Sequence, residues 1–201
     1  MGGTGMPEWL IREDAGQPVL LALYLRQVLG IRYPDELPHL RGIAPRANDR
    51  TSASQDVLES QWRGLWEMTI EPEIHPSPVP LELVDGYETL LALPADGASE
   101  LRDAARPHAS EALAFAQSAH ARYRKDIGSG VSYRAYASAI AEYERQVGRR
   151  AHSFELNVQV LPLSQRGLWW VGSLTIAVTD GLRGDVVAFD AAINPIIAEL
   201  A

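Results

Sequence analysis

Cysteine is absent from the 201 residues, which excludes disulfide scaffolds, thiolate-held zinc, iron–sulfur clusters and thiol catalysis together. Lysine is almost absent as well. Lys125 stands alone beside seventeen arginines, and with the many alanines this reads as a GC-rich coding bias rather than a ligand-binding signal. No apolar run approaches the roughly 18 residues of a membrane-spanning helix. The start, Met1 to Met6, has neither the basic residues nor the apolar stretch of a secretory signal, so a cytoplasmic location is expected.

What is present is ordinary for a folded chain: 46% apolar and 22% charged residues. A chain of this length can bury roughly 70% of its unfolded surface without a metal or disulfide to hold it. One domain over residues 7–201 is expected, behind a flexible leader of residues 1–6. The formal charge of −8 disfavours a dedicated nucleic-acid binder, since phosphate backbones are recognised through basic surfaces. That charge is uneven. Residues 1–100 hold sixteen acidic and seven basic side chains, whereas residues 101–150 hold nine basic against five acidic.

The pattern of apolar residues predicts a helix over 19–29, apolar round most of its circumference and therefore buried, with Gly30 just past its end. A long loop over 32–53 follows. A second helix carries Leu58, Trp62, Leu65 and Trp66 at helical spacing. Pro76, Pro78 and Pro80 impose an extended connector. Leu81–Val84 and Tyr87–Leu93 predict a short hairpin around Asp85-Gly86, a favoured two-residue turn. Helical composition covers 98–126, interrupted at Pro107, and Gly128-Ser-Gly130 stops it. Ser132 caps the next helix, which shows a stripe of Tyr133, Ala137, Ile140, Tyr143 and Val147. Residues 154–160 alternate apolar and polar, as a strand with one wet face does. Residues 168–178 predict a second strand, antiparallel to the first across Ser164–Gly167, with Leu174 in the core. Asp185 caps a closing helix bearing Val186, Phe189, Ile193, Ile196, Ile197 and Leu200 on one face, with Pro195 inside it. The class predicted is α+β: a small antiparallel sheet, made of the C-terminal hairpin and one or two short strands from 79–93, packed against about five helices.

Few residue groupings carry chemistry. Glu71, Glu73 and His75 have metal-ligand side chains, but on an extended chain residues two apart lie roughly 6.5 Å from each other. Three ligands so spaced cannot reach one ion across bonds of about 2 Å, so no metal and no cofactor is expected. His108 with Glu111 has no matching pair on another helix, as a di-metal bundle would need. His39, His120 and His152 stand apart. No G-x-S-x-G elbow is present, and Gly128-Ser-Gly130 follows a helix rather than the strand that a phosphate loop requires. Arg122, Arg124 and Lys125 end one helix, and Arg149 and Arg150 end the next. They are candidate anion ligands, although cations at a helix C-terminus also answer its macrodipole.

Five tryptophans are many for this length. Trp62 and Trp66 share a helix face, and Trp169 and Trp170, adjacent on a strand, must point to opposite sides of a sheet. Exposed aromatics mark interfaces, so these four are the candidate contact residues. The function expected is non-catalytic, working through a protein–protein interface, with self-association as a homodimer and room for another protein partner, but no membrane. A small-molecule or enzyme pocket between sheet and helices is the first alternative. Anion or nucleic-acid binding through the basic segment 122–150 is the second.

Overall fold

The computed structural model describes residues 8–44, 51–127 and 132–201. The expected leader and the Gly128-Ser-Gly130 stop lie outside those residues, as does part of the loop over 32–53. In chain order the elements are β1 (Trp9–Asp14), α1 (Gln17–Val28), α2 (Ser52–Ile70), β2 (Leu81–Leu83), β3 (Ala92–Pro94), α3 (Ser99–Ala105), a 3₁₀ turn (Arg106–His108), α4 (Ala109–Ile127), α5 (Ser132–Val147), β4 (Phe154–Leu161), β5 (Leu168–Trp170), β6 (Thr175–Thr179), α6 (Asp180–Arg183) and α7 (Val186–Leu200).

Helix α1 is buried from Val19 to Val28, as its all-round apolar pattern demands, and packs against α2 and α4. It ends where Gly30 adopts φ of 70°, a left-handed conformation that glycine takes without steric penalty. Trp62 and Trp66 of α2 stack with centroids 5.4 Å apart, and the Trp62 indole N–H donates to the Ala22 carbonyl of α1 at 2.9 Å. Both rings are fully buried. They are core residues, which corrects their expected place in an interface. The helical run over 98–126 breaks at Pro107 into α3, the 3₁₀ turn and α4. Asp185 caps α7 by accepting from the Ala188 amide, and Pro195 lies inside that helix.

The chain mixes α and β structure, but its main sheet is mostly parallel, with strand order β1-β4-β6-β5. Strands β1 and β6 flank β4 and both run parallel to it. Only β5 is antiparallel, to β6. The expected hairpin over 153–178 is therefore corrected. The second strand is interrupted at 171–174, where the chain turns back so that β6 inserts between β4 and β5. The reason lies in β6 itself. All five of its residues are buried, and a strand with no wet face belongs in the middle of a sheet. Leu174, expected in the core, sits at the turn, 36% exposed.

Two further corrections concern short elements. Strands β2 and β3 form a two-stranded antiparallel sheet of their own and do not extend the main one. Residues 84–91 join them, not a two-residue turn, because Tyr87 dives into the core and donates to the Ala105 carbonyl at 2.8 Å. The stripe on α5 is offset from the expected one. Ala135, Tyr136, Ala139 and Ile140 are buried while Val147 is exposed, and α5 packs on α7 through an edge-to-face contact of Tyr136 with Phe189.

Candidate functional site

Because β1, β4 and β6 are parallel, their carboxyl ends collect at one edge of the sheet, the edge at which open α/β sheets hold ligands. A cleft of about 460 Å³ opens there. Glu13 enters it from the end of β1, Val160 and Pro162 from the end of β4, and Asp180 and Arg183 from the helix that follows β6. The last turns of α4 supply the facing wall with Ala119, Arg122, Tyr123, Lys125, Asp126 and Ile127, and Val186 of α7 adds apolar surface. The volume falls in the range of small-molecule sites, roughly 300–1,000 Å³.

Glu13 is the most elaborately held group in the cleft. Its Oε2 accepts from Arg183 Nε at 2.7 Å and from the Tyr136 hydroxyl. Its Oε1 faces the Tyr123 hydroxyl at 3.4 Å. The Glu13 and Arg183 side chains are only 5% and 11% exposed, so this ion pair is taken out of water and depends on its additional hydrogen bonds. Arg183 also lies over the Phe189 ring. Burial pushes both the Tyr123 and Tyr136 hydroxyls well above the ordinary tyrosine pKa, and the Glu13 charge adds to the rise. Both phenols therefore remain proton donors at neutral pH.

Arg41 reaches the opposite side of the cleft and grips Asp180 with both terminal nitrogens, at 3.2 and 2.6 Å. It is carried there by the loop after α1, which hangs from two buried polar side chains. The Arg26 guanidinium donates to five backbone carbonyls, those of Arg32, Tyr33, Pro34, Leu37 and Pro38. Burial draws its pKa below the arginine norm, against the pull of Asp35. Gln27 accepts from the Leu40 amide at 2.7 Å and donates to the Leu40 and Ile43 carbonyls. Arg41 then donates its own amide to the Pro162 carbonyl at 2.8 Å, which stitches the loop to the end of β4.

The expected anion ligands divide. Arg122 and Lys125 line the cleft. Arg124 shares the end of α4 but not the cleft lining. Arg149 and Arg150 precede β4 and so lie toward its amino end, about 26 Å from the carboxyl edge for eight residues at roughly 3.3 Å each. There Arg149 stacks on Tyr143 and contacts His152. The basic segment is thus not one surface.

The metal-like trio is used otherwise. Glu71 Oε1 accepts from the Ser173 hydroxyl at 2.9 Å and the Leu174 amide at 2.8 Å, pinning the turn between β5 and β6. A Cβ at Gly172 would lie 2.6 Å from the Glu71 carboxyl carbon, so a side chain there would displace this carboxylate. Burial alone would raise the Glu71 pKa, but hydrogen bonds from Leu174 and Ser173, with the nearby His75, hold it below the usual carboxylate range. Glu73 and His75 are exposed, and no group of three potential metal ligands converges among the described residues. Of the aromatic pair on β5, Trp169 packs on the core and Trp170 is 37% exposed.

Glu13, Arg41, Tyr136, Asp180 and Arg183 escaped sequence reasoning because they come from four separate parts of the chain, β1, the loop after α1, α5 and α6, with no shared motif. Models of known families, curated proteins and solved structures all fail to match this chain.

Proposed function

We propose that the chain binds a small anionic molecule in the cleft at the carboxyl edge of β1, β4 and β6. One observation carries this. Two of the four cations around the cleft are spent on acids, Arg183 on Glu13 and Arg41 on Asp180. The other two, Arg122 and Lys125, have no carboxylate partner among the described residues, and Arg122 meets only the Ser118 hydroxyl. The third acid, Asp126, has interactions of its own. Residues 122 and 125 lie one helical turn apart and so present their charges together. In a chain of net charge −8, a pair of unneutralised cations over a walled cleft attracts a counter-charge of small size.

The test is isothermal titration with inorganic phosphate, pyrophosphate and citrate. Micromolar to millimolar binding by at least one anion is expected, weakened tenfold or more in the Arg122→Ala/Lys125→Ala double variant. Both side chains are exposed, so that variant should keep its fold. No heat with any anion would refute the proposal.

A second reading keeps the homodimer, expected through the hairpin 153–178 or the helix 55–68, and moves its contact to the edge strand β1. Edge strand β1 exposes Trp9 and Leu10, at 43% and 41%, beside backbone groups with no neighbouring strand among the described residues. Sedimentation equilibrium of wild type and Trp9→Ser decides it. A mass near 22 kDa at all concentrations removes the dimer. No helix among the described residues is long and apolar enough to cross a membrane.

A further inference from the structure

Resting on the anion proposal above, we infer that the ligand is amphipathic: a carboxylate or phosphate head, taken by Arg122 and Lys125, on an aliphatic body. A cleft of about 460 Å³ has room well beyond one inorganic anion, and its lining indicates what fills the rest. Val160 and Pro162 stand at the end of β4, Ile127 ends α4 and Val186 opens α7. These four apolar side chains come from three parts of the chain and surround one space. Val186 keeps 48% of its surface in water, apolar area that a ligand body can cover.

The polar groups of the cleft disfavour a polar body. On the floor, Glu13 is bonded to Arg183 and Tyr136, and both Glu13 and Arg183 have further interactions. At the rim, both Asp180 oxygens are taken by Arg41. Among the described residues three side chains keep a buried polar atom unmet, those of Gln55, Thr175 and Asp190, and none of them lines the cleft. The buried polar atoms of the cleft therefore need nothing from a ligand. A hydroxyl placed over them would give up water for groups already engaged, which costs affinity. A fully buried methylene gains about fourfold in affinity, the equivalent of roughly 0.8 kcal/mol.

The experiment varies the body while keeping the head. Isothermal titration compares butanoate, hexanoate and octanoate in one arm, and ethyl, butyl and hexyl phosphate in the other, so the arms separate a carboxylate head from a phosphate head. In at least one arm affinity should rise by roughly two- to fourfold per methylene, the lower figure for a methylene left half in water. In the same arm the aliphatic body should bind more tightly than its polyhydroxylated counterpart: hexanoate against gluconate, or hexyl phosphate against glucose 6-phosphate.

Val186→Ser tests the place. It should weaken the longest chain by roughly threefold or more and leave phosphate, pyrophosphate and citrate bound as in wild type. Val187→Ser is the control, since Val187 is 80% exposed and does not line the cleft, and it should bind every compound as wild type does. Circular dichroism and thermal melting confirm the fold of both variants. If Val186→Ser does not fold, the chain-length series and the polyol comparison decide alone. No gain with chain length in either arm overturns this inference and leaves the anion proposal standing, as does tighter binding of the polyol. A gain that Val186→Ser leaves intact, or that Val187→Ser lowers equally, is adsorption elsewhere on the surface and overturns it too. Absence of binding by every compound, the inorganic anions and citrate included, overturns both proposals.

Discussion

Replacing Arg26 by methionine should cost this protein roughly 3–5 kcal/mol of stability, the range for removing one side of a buried charged network. Methionine keeps the apolar stem and approximate length of the side chain, so the change isolates the guanidinium. The magnitude follows from where its hydrogen bonds end. Of the five carbonyls it holds, those of Leu37 and Pro38 are bonded in fully buried surroundings, and those of Arg32, Tyr33 and Pro34 are partly accessible. Water can replace the donor at the accessible three. The buried two lose it outright, at roughly 1–3 kcal/mol each, and the accessible three add a smaller share. For a domain of about 200 residues that total lowers Tm by roughly 6–20 °C at 2–4 °C per kcal/mol. Urea denaturation gives the free energy, and amide exchange gives its location. Protection should be lost selectively at Leu37 and Leu40, whose amides donate to the Pro34 carbonyl and to the Gln27 side chain, while β6 exchanges as before. Arg41 rides on the same loop, so its grip on Asp180 should weaken too. A loss below 1 kcal/mol with unchanged exchange at Leu37 and Leu40 would refute this account of how the loop is held.

Two other outcomes are expected. The folded pKa of Glu71 lies below its unfolded value, so its carboxylate contributes stability that is complete above about pH 4.3, the ordinary glutamate value, and is lost as pH falls through the lower folded value. Glu71→Gln should flatten that part of the stability–pH curve, and an acid limb identical to wild type would contradict the pinning of the 171–174 turn. Trp62→Ala should lose about 3–5 kcal/mol in denaturant unfolding without altering the native oligomeric mass, since the ring is wholly buried against Trp66 and the Ala22 carbonyl. A change of mass with intact stability would return Trp62 to an interface.

Sequence patterning recovered the elements whose surroundings are simple. Helix α1 is buried on all sides and reads as such. The Asp185 cap of α7 and the alternation in β4 are local signals that survive folding. Three things were hidden for three physical reasons. Strand β1 shows no period of two, because at the sheet edge its apolar Trp9 and Leu10 both remain exposed. Strand β6 looks like a continuation of β5, and only the Glu71 contact from a distant helix reveals the turn between them. The cleft depends on strands being parallel, which chain order alone disguises, since β4, β5 and β6 follow one another closely enough to suggest a simple meander. Arg122 and Lys125 were found because a local charge cluster is visible in any fold. Their partners across the cleft were not.

The long reach of the Glu13 contacts sets an order of events for the growing chain. Glu13 meets Arg183 across 170 residues of sequence, Tyr136 across 123 and Tyr123 across 110, and β1 finds its strand partner only when residues 154–159 exist. Closing so large a loop is entropically costly and slow. During synthesis the first strand must therefore wait, its edge open, until the residues up to Arg183 have emerged. The cleft is assembled at that step, by the joining of segments up to 170 residues apart in sequence. A molecule that occupies it stabilises this closure and no earlier intermediate, so its presence should slow unfolding while leaving the early phases of refolding untouched.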